Sequence, residues 1–356
     1  MLALPTATLP AHAGPTPHID PLADVLRAVR LDGAYFFPVE AAAPWSVEAA
    51  PAHELAPRVL PGAEHLVSYH VVVAGTVYAG LTGTTLERLD PGDVIIFPHG
   101  DGHVVASAPD PAFIPRATAV PARYPQLFRL GPAGRPDASF VCGFLGMSRG
   151  PFNPLLGSFP PMLVVRGASV GWLAGFPQMV VDASRSAAES SLPILARMAE
   201  LMFLESLGCY AMGGAPSGWL AGLADPLVGV ALRHMHSAPG RPWTLALLAR
   251  ACATSRSVLA DRFTKVVGVP LMLYLMKWRL QLAAEQLTTT DYTVRAIATR
   301  VGYTSEAAFC RAFKRHTGQT PAQWRGRRDD LPPAEAVCDA GPRHSLRLRD
   351  MNQSPR

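Results

Sequence analysis

The sequence lacks any pairing of its cysteines. The five it has (Cys142, Cys209, Cys252, Cys310 and Cys338) are odd in number, scattered and never spaced C-x-x-C. This argues against a disulfide framework and fits the reduced thiols of the cytoplasm, where the chain is expected to work. No apolar run of 18 residues escapes a charge or a proline, so no membrane-spanning helix and no membrane partner are expected. The N-terminal MLALPTATLPAHAG ends in an Ala11-His12-Ala13 that mimics a signal-peptidase site. It has no basic region ahead of it, and Pro5 and Pro10 interrupt the apolar stretch, so no signal peptide is expected. What is plentiful is apolar surface and proline: 49% of the 356 residues are hydrophobic and 35 are proline. Such a chain can bury two or three cores and is not disordered overall. Much of the proline lies in the N-terminal half and favours strands and turns there.

Acidic residues are scarce in one segment. Residues 222–328 carry sixteen Lys and Arg against five Asp and Glu, a net of +11. Residues 1–221 carry a net of −5, and the tail from Asp329 a net of −1. A basic segment on an acidic body suits a module that displaces counterions from a polyanion. A solvated basic surface without a partner has the same signature, and charge alone leaves both open.

Hydrophobic periodicity divides the chain. Residues 1–17, rich in Ala, Pro and Thr, are expected to be disordered, and 20–29 reads as a short amphipathic helix. Strand-like runs then follow at 34–39, 66–73, 76–81, 94–97, 104–107 and 140–145. Turn signals at Pro61-Gly62, Ala74-Gly75, Thr82-Gly83 and Pro91-Gly92 separate several of them, a rhythm that suggests a sandwich or barrel. The expected fold is therefore α+β and multidomain: an N-terminal β-barrel over 18–182 followed by an all-α C-terminal part. Residues 187–210 have helical spacing through Ile194, Leu195, Met198, Leu201, Met202 and Leu204, within a helical region over 183–212. Residues 213–221 read as a flexible linker, 222–328 as helical, and 329–356 as a disordered tail.

The helical part repeats itself at an offset of 50 residues. Thr254-Ser255 matches Thr304-Ser305, Leu259 matches Phe309, Phe263 matches Phe313, and Gly268 matches Gly318; upstream, Ala246 and Arg250 match Ala296 and Arg300. Ser255 and Ser305 are placed to cap the second helix of each copy. Gly268 and Gly318 can end it in the left-handed conformation. Leu259/Phe263 and Phe309/Phe313 are i, i+4 pairs on one buried face. The reading is two helix-turn-helix units, at about 243–268 and 293–318, joined by a helix over 271–287 that follows Pro270. Such a helix could hold the two second helices parallel, about 34 Å apart, for successive major grooves. Trp243, Trp278 and Trp324 read as packing residues.

The run Gly302-Tyr303-Thr304-Ser305-Glu306-Ala307-Ala308-Phe309-Cys310-Arg311-Ala312-Phe313-Lys314-Arg315, with Gly318, Pro321, Trp324 and Arg325, resembles the second helix-turn-helix of the AraC/XylS family. Ser255-Arg256-Ser257-Val258-Leu259-Ala260-Asp261-Arg262-Phe263 resembles the first. The resemblance covers about 100 residues and implies double-stranded promoter or operator DNA as partner, with RNA polymerase as a second partner if the protein activates. By position it implies base-reading roles for Arg256, Ser257, Ala260 and Asp261 in the first unit, and for Glu306, Ala307, Cys310 and Arg311 in the second. Arg311 can grip a guanine, Asp261 or Glu306 can accept from a cytosine amino group, and the alanines can touch only a thymine methyl. The alternative for Asp261 and Glu306 is a solvent-exposed side chain or an intrahelical pair, such as Asp261 with Lys265 at i, i+4. Lys265, Lys314, Arg315 and Arg325 are assigned to phosphates, which position without specifying.

In the N-terminal half, Gly92-Asp93-Val94-Ile95-Ile96-Phe97-Pro98-His99-Gly100-Asp101-Gly102-His103 resembles the second cupin motif, which implies a jelly-roll sensor domain. The usual Asn after the His is absent, and the His-x-His cluster of the first motif is missing. The metal-ligand candidates are His70, His99, His103 and Cys142. The alternative is that His103 closes the turn and packs in the barrel, with Cys142 as a small buried hydrophobe. No cofactor is expected. Tyr35, Phe37, Tyr69, Tyr78 and Phe97 are the candidates for lining an effector pocket. The apolar stripe of 192–207 either pairs with a second copy, giving a homodimer, or docks on its own barrel. The leading expectation is a transcription regulator controlled by a small-molecule effector, not an enzyme. The alternatives are a metal-dependent cupin enzyme with a helical appendage and a non-specific nucleic-acid or scaffold protein.

Overall fold

The computed structural model describes residues 21–28, 31–61, 63–110, 116–118, 127–147, 150–167, 175, 178–179, 182, 192–213 and 217–330. The expected disordered ends, residues 1–17 and the tail beyond 330, lie outside these, as do the first residues of the 187–210 helix and positions 214–216 of the linker. A short helix, α1 (Pro21–Ala28), opens the chain. The strands are β1 (Leu31–Ala41), β2 (Ser46–Ala49), β3 (His65–Ala74), β4 (Val77–Leu81), β5 (Glu87–Leu89), β6 (Val94–Phe97), β7 (His103–Ala106), β8 (Arg116–Thr118), β9 (Phe128–Leu130), β10 (Ala138–Met147) and β11 (Leu163–Val165). Helix α2 (Ala52–Val59) interrupts them, in a stretch where no helix is expected from the sequence.

The strands do not close into one cylinder. They form a six-stranded sheet, β11-β6-β3-β10-β1-β9, and a five-stranded sheet, β5-β4-β7-β2-β8. Pairing is antiparallel except where β9 and β8 join β1 and β2 in parallel at the edges. This two-sheet arrangement is a sandwich of the jelly-roll kind that the cupin-like motif implies. The two faces of the larger sheet have different neighbours. On β10, Phe140 packs with Val39, Trp45 and Val105 between the sheets. Val141, Leu145 and Met147 belong to a core shared with the helices behind. The strand period of two makes this division.

The helical part contains α3 (Leu192–Gly213), α4 (Gly218–Ala224), α5 (Val228–Ser237), α6 (Leu245–Ala251), α7 (Arg256–Val267), α8 (Leu271–Thr289), α9 (Val294–Arg300), α10 (Glu306–Thr317) and α11 (Pro321–Asp330). Helix α11 continues to Asp330, into the first two residues of the expected disordered tail. Helix α3 packs on β1 and β11 and buries Ala199, Met202, Phe203 and Leu207 in the shared core. Its stripe thus covers its own sandwich, the second of the two expected arrangements. The N-terminal half of α8 buries Leu271, Tyr274, Leu275 and Trp278 in that core. Its C-terminal half buries Leu280, Ala284 and Leu287 against Ile297, Phe309, Phe313 and Trp324. One helix therefore anchors both helix-turn-helix units. Trp243, Trp278 and Trp324 are all buried.

Candidate nucleic-acid interface and sensor cavity

The two units are built by the same local chemistry. Thr244 and Thr293 cap α6 and α9 by accepting from Leu247 N and Ala296 N. Ser255 and Ser305 cap α7 and α10 by accepting from Val258 N at 3.2 Å and Ala308 N at 3.1 Å. Each cap satisfies an N–H that the helix cannot. Gly268 (φ 83°) and Gly318 (φ 78°) end the second helices in the left-handed conformation. Leu259, Phe263, Phe309 and Phe313 are fully buried.

The turns differ by one residue. Thr254 N bonds Ala249 O, and Tyr303 N bonds Ala298 O, both at 2.9 Å. The first helices therefore correspond at an offset of 49 (Thr244 to Thr293), not at the expected 50, and Thr304 is the extra residue in the second turn. The left-handed position of the first turn is occupied by Ala253, at φ 51°, and that of the second by Gly302, at φ 86°.

The outward faces carry the expected side chains. Arg256, Ser257 and Asp261 on α7 are exposed and Ala260 is half-buried; on α10, Glu306, Ala307 and Arg311 are exposed and Cys310 is half-buried. Burial and the nearby Glu306 raise the Cys310 thiol pKa, so it stays protonated. No ion pair joins Asp261 to Lys265 among the described residues. Lys265, Lys314 and Arg315 are exposed. Arg325 is different: its guanidinium donates to Tyr292 O, bracing α11 against the start of the second unit. Two features of this face were missed from sequence. Val258 is 53% exposed beside the base-reading positions. Arg262 is tied at 2.6 Å to Asp225, which also accepts from Leu227 N and Val228 N. Burial alone would raise the Asp225 carboxyl pKa; these bonds hold it below the ordinary range.

Between the two sheets lies a cavity of about 620 Å3 counting its open mouth, lined by apolar residues that include Phe37, Leu55, Val105, Phe128, Phe140 and Phe144. Its polar lining is His70, His103 and Cys142. His103 Nδ1 lies 3.1 Å from Asp101 O, His70 Nε2 lies 2.8 Å from His103 Nε2, and His70 Nδ1 lies 3.0 Å from Cys142 Sγ. Burial lowers the His103 pKa to about 4 and that of His70 well below its ordinary value. Burial pushes the Cys142 thiol upward. All three are therefore neutral near pH 7.

Of the expected pocket aromatics, Phe37 lines the cavity. Phe97 stands behind it, stacked on the His103 ring at 4.0 Å. Tyr69 lies on the opposite face of the larger sheet, in the shared core, with its ring over Gly143. Tyr35 packs beside α2, and Tyr78 is half-buried on β4. The aromatic content of a strand gives no direction for its side chains, and so the lining residues Leu55, Phe128, Phe140 and Phe144 were missed. The expected metal quartet does not converge, because His99 turns to Phe159 O at 3.2 Å. Among the described residues, no group of three His, Cys, Asp or Glu is placed to hold a metal ion.

The sandwich and the helical part share a polar seam. Ser158, fully buried, accepts from Trp219 N at 3.0 Å and Leu220 N at 3.3 Å, capping α4 from outside the helix. Phe152 N donates to Gln281 on α8 at 3.1 Å. His316, in the last turn of α10, bonds Pro151 O at 3.1 Å. No sequence pattern marks Ser158, but Gln281 was detectable as a polar residue on an otherwise apolar helix face.

These features define a β-sandwich with an internal cavity, packed on a tandem helix-turn-helix domain. Residues 20–212 match a family model described as Cupin, and residues 248–327 match one described as Helix-turn-helix domain. The first match spans more than half the chain, which belongs to the cupin family and carries an AraC-type helix-turn-helix domain at its C-terminal end. An AraC-like transcription regulator of Streptomyces lividans is 51% identical over 111 residues, 31% of this chain and 36% of that protein. The chain thus spans only about a third of the length of that relative and of its Streptomyces antibioticus counterpart. The HTH-type transcriptional regulator AlkR of Acinetobacter baylyi is 28% identical over 266 residues, 72% of this chain and 86% of that protein. The DNA-binding domain of AdpA, solved in complex with a target DNA, is 27% identical and covers 33% of this chain and 99% of its own, at a TM-score of 0.28. No helix among the described residues is long and apolar enough to cross a membrane.

Proposed function

We propose that the chain is a sequence-specific transcription regulator that inserts α7 and α10 into duplex DNA and responds to a small molecule in its sandwich cavity. The observation that carries this reading is the matched construction of the two helices. Each has a serine cap, a buried pair at i, i+4, a glycine stop and an exposed face with a guanidinium that can reach a base. Arg256, Ser257, Ala260 and Asp261 read one half-site, with Val258 touching a thymine methyl; Glu306, Ala307, Cys310 and Arg311 read the other. Lys265, Lys314 and Arg315 meet phosphates. Arg325 acts as an internal brace and not as a phosphate ligand. We assign residues 18–182 to sensing, 183–212 to covering the sandwich, 213–221 to the link and 222–328 to DNA. The protein works in the cytoplasm, without catalysis of its own, and contacts RNA polymerase where it activates; a homodimer, if it forms, uses a surface other than the stripe of α3 that covers the sandwich.

The test is a gel-shift series with full-length protein on fragments recovered by genome-wide mapping of bound sites. A preferred site that survives at physiological salt supports the proposal. Binding that loses all preference as salt rises identifies a purely electrostatic binder and refutes it.

A further inference from the structure

We infer that the sandwich cavity takes a small uncharged hydrocarbon, an aromatic ring of toluene size or a short alkane, and excludes sugars and carboxylates. The inference rests on reading the sandwich as the sensor. Its basis is the state of the three polar groups in the wall. Asp101 O can only accept, so His103 Nδ1 carries a proton and, in a neutral ring, His103 Nε2 has a lone pair. His70 Nε2 must then be the donor across the 2.8 Å contact, which leaves His70 Nδ1 to accept from the Cys142 thiol. The chain runs one way, from Cys142 through His70 and His103 to Asp101 O, and every proton in it has an acceptor.

A ligand therefore meets no unused imidazole donor. The other lining residues named above, with Val39, Val47, Ala49 and Leu130, are all apolar, and among the described residues no Lys, Arg, Asp or Glu lines the cavity. A sugar would leave several buried hydroxyls without partners, which opposes its binding. A carboxylate would meet no cation and would desolvate for nothing. A hydrocarbon gains the apolar contacts of this wall and brings no polar group of its own that would go unpaired.

The experiment is calorimetric titration of the full-length protein with toluene, L-arabinose and benzoate, read alongside a gel shift on its preferred DNA. Two variants accompany it. Ala49→Phe fills the cavity, and Val47→Thr keeps its shape while adding one hydroxyl. Toluene binding with a negative heat-capacity change, abolished in Ala49→Phe and weakened roughly tenfold in Val47→Thr, supports the inference. If Ala49→Phe fails to fold, the Val47→Thr comparison stands alone. Arabinose or benzoate binding that Val47→Thr leaves unchanged or strengthens overturns the ligand class while sparing the sensor reading. No heat from any probe, with the gel shift intact, overturns the inference and leaves DNA binding standing. Toluene binding that never alters the gel shift supports the ligand class and refutes the sensor reading.

Discussion

Replacing Ser158 with alanine should loosen the seam at a named place. Helix α4 starts without a cap of its own, because the Ser217 side chain makes no capping bond. Ser158 supplies that cap and also donates to Pro154 O at 2.9 Å. Losing an N-cap costs about 0.5–2 kcal/mol, and an unsatisfied buried donor about 1–3 kcal/mol. Trp219 and Leu220 are each only 2% exposed, so water cannot replace the lost oxygen cheaply. We expect a loss of about 2 kcal/mol, which is roughly thirtyfold faster hydrogen exchange at the Trp219 and Leu220 amides. Ser217→Ala is the control and should stay within about 0.5 kcal/mol of wild type. Equal exchange in Ser158→Ala and wild type would falsify the cap assignment, and a larger effect from Ser217→Ala would reassign it to that side chain.

Arg311→Ala should weaken binding to the preferred DNA site about ten- to a hundredfold and relax preference at one base pair. Lys314→Ala should weaken all sequences alike and lower the salt slope by about one, with both effects read by gel shifts across a salt series. Ala253→Gly should raise stability by about 1 kcal/mol in urea unfolding, since alanine holds a left-handed turn that glycine adopts freely. Gly302→Ala should do the reverse, because its new Cβ would sit 2.7 Å from Gly240 O. Acidification should destabilise the sandwich between the unfolded histidine pKa, near 6.5, and about 4. In that window the unfolded chain binds protons that buried His103 and His70 do not, so stability is complete above it and falls as pH drops through it. Asp93 and Asp225, whose pKa values are lowered, add a further loss at lower pH. A wild-type stability profile that is flat from pH 7 to 4 would refute the neutral-histidine chain.

The helical half was largely legible because its information is local. A serine cap, an i, i+4 apolar pair and a stop glycine lie within fourteen residues of one another, from Ser255 to Gly268, and recur at Ser305 to Gly318. The one-residue slip between the first helices was not legible, since Ala246/Ala296 and Arg250/Arg300 fit the wrong register as well as Thr244/Thr293 fit the right one. In the sandwich the strands were legible, but their facing was not. Tyr69 and Phe37 are equally aromatic and equally central in their strands, yet one packs behind the sheet and the other lines the cavity. That choice depends on which neighbour each face receives, information carried by residues more than a hundred positions away. On the seam, Gln281 stood out as a polar residue on an apolar face, but Ser158 was illegible, as it caps a helix that begins 60 residues later.

The larger sheet explains how a cavity could influence DNA contacts it does not touch. Phe140, Cys142 and Phe144 face the cavity, while Val141, Leu145 and Met147, one residue along on the same strand, face the core that holds α3 and α8. Met147 is bonded by Asn153 at 3.2 Å, and Asn153 in turn accepts from Leu155 N at 3.1 Å within the segment that meets Gln281 and His316. Strand β10 is thus both a cavity wall and the root of the seam. A ligand can bias the DNA-binding half only by its difference in affinity between two seam arrangements. A tenfold change in DNA affinity requires about 1.4 kcal/mol of such coupling. The loss of one seam hydrogen bond, such as Phe152 N to Gln281, is of that size. Cutting that bond with Gln281→Leu should therefore abolish most of the ligand response in a gel shift while leaving ligand-free binding within about threefold of wild type. A full response in Gln281→Leu would show that the signal takes another route through the shared core.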